Sequence, residues 1–295
     1  SQSLMLDAGM ASGAINVVPE LGKGPGHTVR LNRPVFASTT YTQASREVPA
    51  GSDISTTGIS LSAEQVPITL KRFAGPYDSI NSVVAPYALD RFDAKLSIHS
   101  LANMIGMNLA DDFDKFIDAV HVALLDTASS VVRPTGFSAD ADFTAQEAGP
   151  MDFNTISRVE RALDEANIPT FPNGKRVMVI DPRQAQSLKD DTQFARYAEF
   201  HAPANPLLAK SYLKSVGTMD IFKSNTLDTD TNASSVVVHK AHAFGPGVLG
   251  SGIGELPRVM PSTSDNYGET AKVVWLLYAG FALLDNRFVV SVRTS

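Results

Sequence analysis

From Tyr87 to Arg133 the chain contains no proline and a single glycine, Gly106, and the stretch is patterned as one very long helix. Leu101, Ile105, Leu109, Phe113, Phe116, Ile117, Val120 and Leu124 recur three or four residues apart, drawing one apolar stripe along a 3.6-residue period. With Asp90 as the cap and Arg133, Pro134 and Gly136 as the stop, this predicts a helix over residues 90–127. Such a rod is roughly 55 Å long at about 1.5 Å per residue, longer than a compact small domain is wide. It must cross the molecule as a strut. Asp111 and Lys115 lie four apart on it, in the orientation that favours an ion pair.

At 295 residues the chain can bury a sizeable core, as one large domain or two lobes, and its apolar fraction of 43% is ordinary for a globular protein. A net charge of -6 argues against affinity built on phosphate neutralisation, while leaving open a surface that faces nucleic acid without gripping it. With no cysteine, disulfides, thiolate metal sites and cysteine nucleophiles are excluded, and a reducing cytoplasm is the expected place of synthesis. No basic-then-apolar leader and no membrane-spanning apolar run is expected.

Residues 1–27 are rich in glycine and small residues without a sustained period, and read as an arm that orders against a neighbour or packs loosely. A short strand follows around Val29 and Leu31. Residues 38–62 are polar, and Val66, Ile68 and Leu70 then alternate with Pro67, Thr69 and Lys71 as a half-covered strand. The segment from Phe36 to Phe73 thus reads as a long two-stranded excursion, either packed on another molecule or a surface insertion. After the rod and a polar linker, the elements shorten. Ile156, Val159 and Leu163 mark a helix, and Arg176–Ile180 a buried strand. Asp181, Pro182 and Gln184 open a second helix with a capping box. A further helix is expected over 206–216, strands over 219–224 and 235–239, and a glycine-rich loop over 245–254. Two apolar strands, 271–284 and 288–293, close the chain around Asp285–Asn286 and are expected to pair with the strand near Val29.

No motif carries chemistry. Gly250, Gly252 and Gly254 lack dinucleotide spacing, and Gly22, Lys23 and Gly24 lack the Ser or Thr of a phosphate loop. His239 and His242 flank Lys240 without a third ligand, and the carboxylates of Asp111, Asp112, Asp114 and Asp118 fan around a helix. Asp181, just after a buried strand, is the position where an α/β enzyme would carry a carboxylate, but capping accounts for it. No catalytic, cofactor or metal residue is expected.

The pieces, in order, are an arm, a β excursion, a long helix, an α/β lobe and a return to apolar strands. This order resembles the major capsid protein of tailed bacteriophages, the Hong Kong 97 fold, over nearly the whole chain. The runs that carry the likeness are His27–Arg30, Val66–Leu70, Arg161–Pro169 ahead of the strand 176–180, and Val273–Val292. The resemblance implies an α+β fold with an extended β-hairpin loop, a spine helix, a peripheral sheet and an α/β axial lobe. It divides the chain into an arm (1–27), early strand and extended loop (28–75), peripheral domain with spine (76–149), axial domain (150–262) and C-terminal peripheral strands (263–295). It further implies self-assembly into pentamers and hexamers of an icosahedral shell around phage double-stranded DNA, without sequence-specific binding and without a membrane. The shell would be a virion component put together in the host cytoplasm, with separate or cleaved scaffolding, portal and decoration proteins as partners. Arg46, Lys71 and Arg72 become candidates for ion pairs with Asp111, Asp112 or Asp114 of the next subunit. Some relatives crosslink a loop lysine to an asparagine; Lys71 lies in that region, but no partner is identifiable and no crosslink is expected. Two alternatives stay open: an encapsulin-type nanocompartment shell, and a soluble α/β enzyme working around Asp181.

Overall fold

The computed structural model describes residues 15–18, 28–34, 63–78, 80–90, 95, 101–145, 148–194, 212–262 and 270–295. The rod is there as α1, Leu101–Leu125, about 37 Å long. Its expected start is different. Tyr87–Asp90 form a strand, β7, whose backbone pairs with the segment around Thr270–Val273. Asp90 therefore ends a strand instead of capping a helix, because cross-strand hydrogen bonds claim its backbone.

α1 lies on a five-stranded sheet with β1 (Ile15–Val18), β14 (Leu249–Pro261), β15 (Thr270–Leu283) and β4 (Lys71–Gly75) in that order, β7 pairing further along β15. Their shared core joins Leu109 and Ile117 of α1 to Trp275, Leu277 and Ala279 of β15. Phe113 meets the Trp275 ring edge-on at 5.3 Å and Phe116 meets Phe73 at 5.0 Å, geometries that suit the ring quadrupoles. β1 arises in the segment read as an arm with little structure of its own. Its Ile15, Val17 and Val18 suit a strand, and it pairs in parallel with Leu249–Gly252.

The excursion begins as a separate antiparallel ladder, β2 (Thr28–Pro34) with β3 (Ala63–Thr69), in register from Thr28↔Thr69 to Pro34↔Ala63. Its expected polar tip lies outside the described residues. β2 does not join the C-terminal strands; β15 pairs with β4, β7 and β14 instead. The ladder's base is seated on β15 through Ile68, only 1% exposed.

A seven-stranded sheet forms the other half. Its order is β10 (Tyr212–Val216), β11 (Met219–Lys223), β9 (Arg176–Ile180), β13 (Val237–Phe244), β16 (Val289–Thr294) and β8 (Ser130–Val132), with β12 (Thr229–Thr231) on β13. One face packs on α2 (Phe153–Glu165) and α3 (Pro182–Asp190), through Met178, Ile180, Val290 and Val292 against Ile156, Val159, Leu163 and Leu188. The opposite face, Val177, Val179, Phe244 and Val289, takes Val122 and Leu125 from the end of α1. The capping box read at Asp181 and Gln184 is present.

Three expectations need correction. Residues 212–216 are strand, not helix, because Gly217 at φ +53 turns the chain back so that they pair with β11; 206–211 lie outside the described residues. Gly250, Gly252 and Gly254 lie inside β14, not in a loop, with Gly252 opposite Gly280 of β15. The last two strands also fall in different sheets: a 3-10 turn at Asn286–Phe288 carries the chain from β15 into β16. Residues 249–261 thus share the five-stranded sheet and 289–294 the seven-stranded one, so sheet membership does not follow the division at 150–262 and 263–295.

Candidate assembly interface

The end of α1 is locked to the seven-stranded sheet by charge. Asp126, just past the helix, lies 2.6 Å from Lys240 Nζ and 2.7 Å from Arg293 Nη2; Lys240 also meets Asp230 at 2.6 Å. Burial opposes charge at Asp126, but Lys240 and Arg293 outweigh it and hold its carboxyl below the usual range. Lys240 is likewise desolvated, and Asp126 and Asp230 still raise its pKa. On the same face, His242 is fully buried opposite Ser291, and burial lowers its pKa to about 4. A second buried histidine, His121 of α1, lies 3.5 Å from Ser251 of β14 and edge-on to Phe281, and burial lowers it to about 4 as well. The spine is thereby fixed at both sheets, which sets the distance between the two halves.

The charged residues singled out in sequence have mixed settings. Arg46 lies outside the described residues. Lys71 and Arg72, at the end of the segment read as the excursion, are exposed on β4 opposite Ala279 and Tyr278, so they belong to the edge strand of the five-stranded sheet. Neither has an ion-pair partner among the described residues. Asp111 pairs with Lys115 at 2.5 Å, as the spacing predicts. Asp112 accepts a hydrogen bond from Trp275 Nε1 at 2.7 Å and so serves its own chain's core. Asp114 is half-buried on the same helix.

Sequence reasoning missed a set of exposed apolar side chains. β5 (Tyr77–Asp78) and β6 (Val83–Val84) form a small hairpin whose apolar side chains face solvent: Tyr77 58%, Ile80 91%, Val83 50% and Val84 50% exposed. Its turn is fixed by Asp78, which accepts from the Ile80 amide at 2.9 Å and from Asn81 Nδ2 at 2.6 Å. Bonds to Asn81 and Ile80 lower the Asp78 pKa. Leu256, Val259 and Met260 of β14 and Met104 and Met107 of α1 are exposed too. Beyond Gly252, β14 has no partner on its outer edge among the described residues. Exposed apolar clusters and open strand edges mark surfaces that are covered in use. The readable signal was four large apolar residues within 77–84 that fit no period.

The candidate chemical sites separate. Three residues apart on β13, His239 and His242 point to opposite faces. His239 Nδ1 lies 3.0 Å from Asp181 Oδ2, whereas His242 sits on the Asp126 side. Among the described residues no group of three His, Asp or Glu could hold a metal. Asp181 caps α3, accepting from the Arg183 amide at 2.9 Å.

No protein-family model and no curated protein matches the chain. Solved structures do. The capsid of Ralstonia phage GP4 is similar with a TM-score of 0.65 at 17% identity, over 97% of this chain and 90% of that one. The capsid of Helicobacter pylori bacteriophage KHP30 gives 0.67 at 10% identity over 96% and 88%, and that of cyanophage P-SCSP1u 0.62 at 12% over 95% and 85%. The chain has the Hong Kong 97-type phage capsid fold. Within that capsid fold α1 is the spine; the five-stranded sheet carries the cations of β4, without an ion-pair partner among the described residues, and the apolar hairpin 77–84 forms a small sheet of its own.

Proposed function

We propose that the chain is a major capsid protein, the repeating unit of an icosahedral shell around phage double-stranded DNA. The carrying observation is the capsid fold over nearly the full chain, together with an exposed apolar hairpin whose turn is already rigid. In this reading residues 28–75 reach over a neighbour, and the 150–262 region, less β14, meets its copies at five-fold and six-fold positions. Lys71 and Arg72 face Asp111 and Asp114 of the adjacent spine. Each contact is weak alone and becomes cooperative by repetition. The net charge of -6 keeps free subunits apart and lets the inner face line DNA without adhering to it. The role is structural and not catalytic, in a virion assembled in the host cytoplasm. Sedimentation of the purified protein tests this. The wild type should run as shells or capsomers, and Ile80→Asp with Val83→Asp should run as folded monomer. A wild type that stays monomeric at every concentration would refute the reading.

A further inference from the structure

A cleft of about 380 Å³ opens between α2 and the outer edge of β8, and its walls carry three guanidinium groups. Arg158 and Arg161 come from one face of α2, and Arg133 follows β8. Two of the three are matched locally. Arg133 donates to Asp140 at 2.8 Å and to the Ser138 carbonyl at 3.0 Å, and Arg161 pairs with Glu165 at 3.1 Å. Arg158 is half-buried and has no acidic partner among the described residues. A partly desolvated guanidinium whose five donors meet no acceptor among the described residues is set to receive a carboxylate.

The rest of the cleft says what kind of carboxylate. Val131, Val132 and Phe137 line it, and β8 pairs only with β16, leaving its outer edge open among the described residues. An extended peptide uses all three features: side-chain pockets, a strand edge and a charge anchor. A nucleic-acid duplex, with phosphates on the outside of a stiff rod, does not enter a concave cleft of this size. The chain itself, with an excess of six negative charges, is the abundant acidic peptide. Sheet order places β11 and β12 on the far side of β13 from β16 and β8, and Asp228, between them, is exposed and has no partner among the described residues. The open cationic edge at β8 and the exposed Asp228 carboxylate are different surfaces of one chain, and contact between two such surfaces of neighbouring copies is heterologous, the kind that closes rings.

We propose that the α2–β8 cleft receives the Asp228 segment of a second copy of this chain, with Arg158 binding its carboxylate. This rests on the shell reading. The experiment compares wild type, Arg158→Glu, Arg158→Gln, Asp228→Arg and the double swap Arg158→Glu/Asp228→Arg by electron microscopy and by the salt concentration that dissociates the assemblies. Thermal melts of the dissociated subunits confirm folding. Each single variant should lower assembly yield at least tenfold or shift dissociation to lower salt, and the swap should recover most of the loss. Wild-type shells with Arg158→Glu and Arg158→Gln shells equally salt-resistant would overturn this inference alone, and so would a swap no better than its singles. Intact, salt-resistant variant shells that lose only nucleic acid would assign the cleft to nucleic acid and overturn it too. A wild type without any assembly would overturn the shell reading along with it.

Discussion

Trp275 is the largest side chain shared by the spine and its sheet, and its indole N–H is matched by Asp112 at 2.7 Å. Asp112→Ala strands that donor in a site where the tryptophan is only 4% exposed, and should cost about 1–3 kcal/mol of subunit stability in urea unfolding. His121 and His242 set an acid limit. Burial lowers both from 6.5 to about 4. Between those values the unfolded chain binds more protons than the folded one, so stability falls as pH drops from about 6.5 to about 4 and levels off below. Each histidine contributes up to roughly 3 kcal/mol to that loss. Among the described residues neither ring nitrogen of His242 has a hydrogen-bond partner, so a leucine there forfeits no bond to them. His242→Leu should gain on the wild type steadily across that window in pH-dependent urea melts; a constant offset would contradict the assignment. Asp112 and His242 stood out in the sequence, as part of an acidic run and of a histidine pair. What each packs against lies across the fold, and nothing local in the chain announces that Asp112 meets Trp275.

Elements were legible wherever a local pattern fixes them. The alternation of Val66, Ile68 and Leu70 marked β3, and Asp181–Pro182–Gln184 marked the start of α3. What failed was long-range or hinged on one residue. Leu213 and Lys214 suit a helix, and only the turn at Gly217 makes them strand. β14 and β15 pair with segments near the N-terminus, and β16 crosses to the other sheet, choices made by packing that no local window contains. One glycine governs how the excursion is seated. A Cβ on Gly280 would meet the Thr69 carbonyl oxygen at 2.5 Å and Ile68 Cγ2 at 2.6 Å, and backbone cannot yield as a side-chain tip can. Gly280→Ala should destabilise the subunit by about 1–3 kcal/mol and speed amide exchange in Thr28–Pro34 and Ala63–Thr69 while α2 and α3 stay protected. Unchanged exchange in that ladder would show that its base is not seated on β15.

At the scale of the whole molecule, the candidate interface was partly legible. Charge picked out Lys71 and Arg72, which the structure leaves exposed, but their membership of a sheet edge depends on pairing with Ala279 and Tyr278. The hairpin 77–84 was passed over because its apolar residues follow no helical or strand period. If Lys71 and Arg72 bridge to a neighbouring spine, Lys71→Glu with Arg72→Glu should reduce shell yield and shell melting temperature without lowering the subunit's own melting temperature; unchanged shells would refute that contact. If this fold closes on copies of itself, electron microscopy of the purified wild-type protein will show closed, uniform icosahedral particles or their five-fold and six-fold capsomers. A field of isolated monomers under all conditions, from a chain that melts cooperatively, would refute self-assembly.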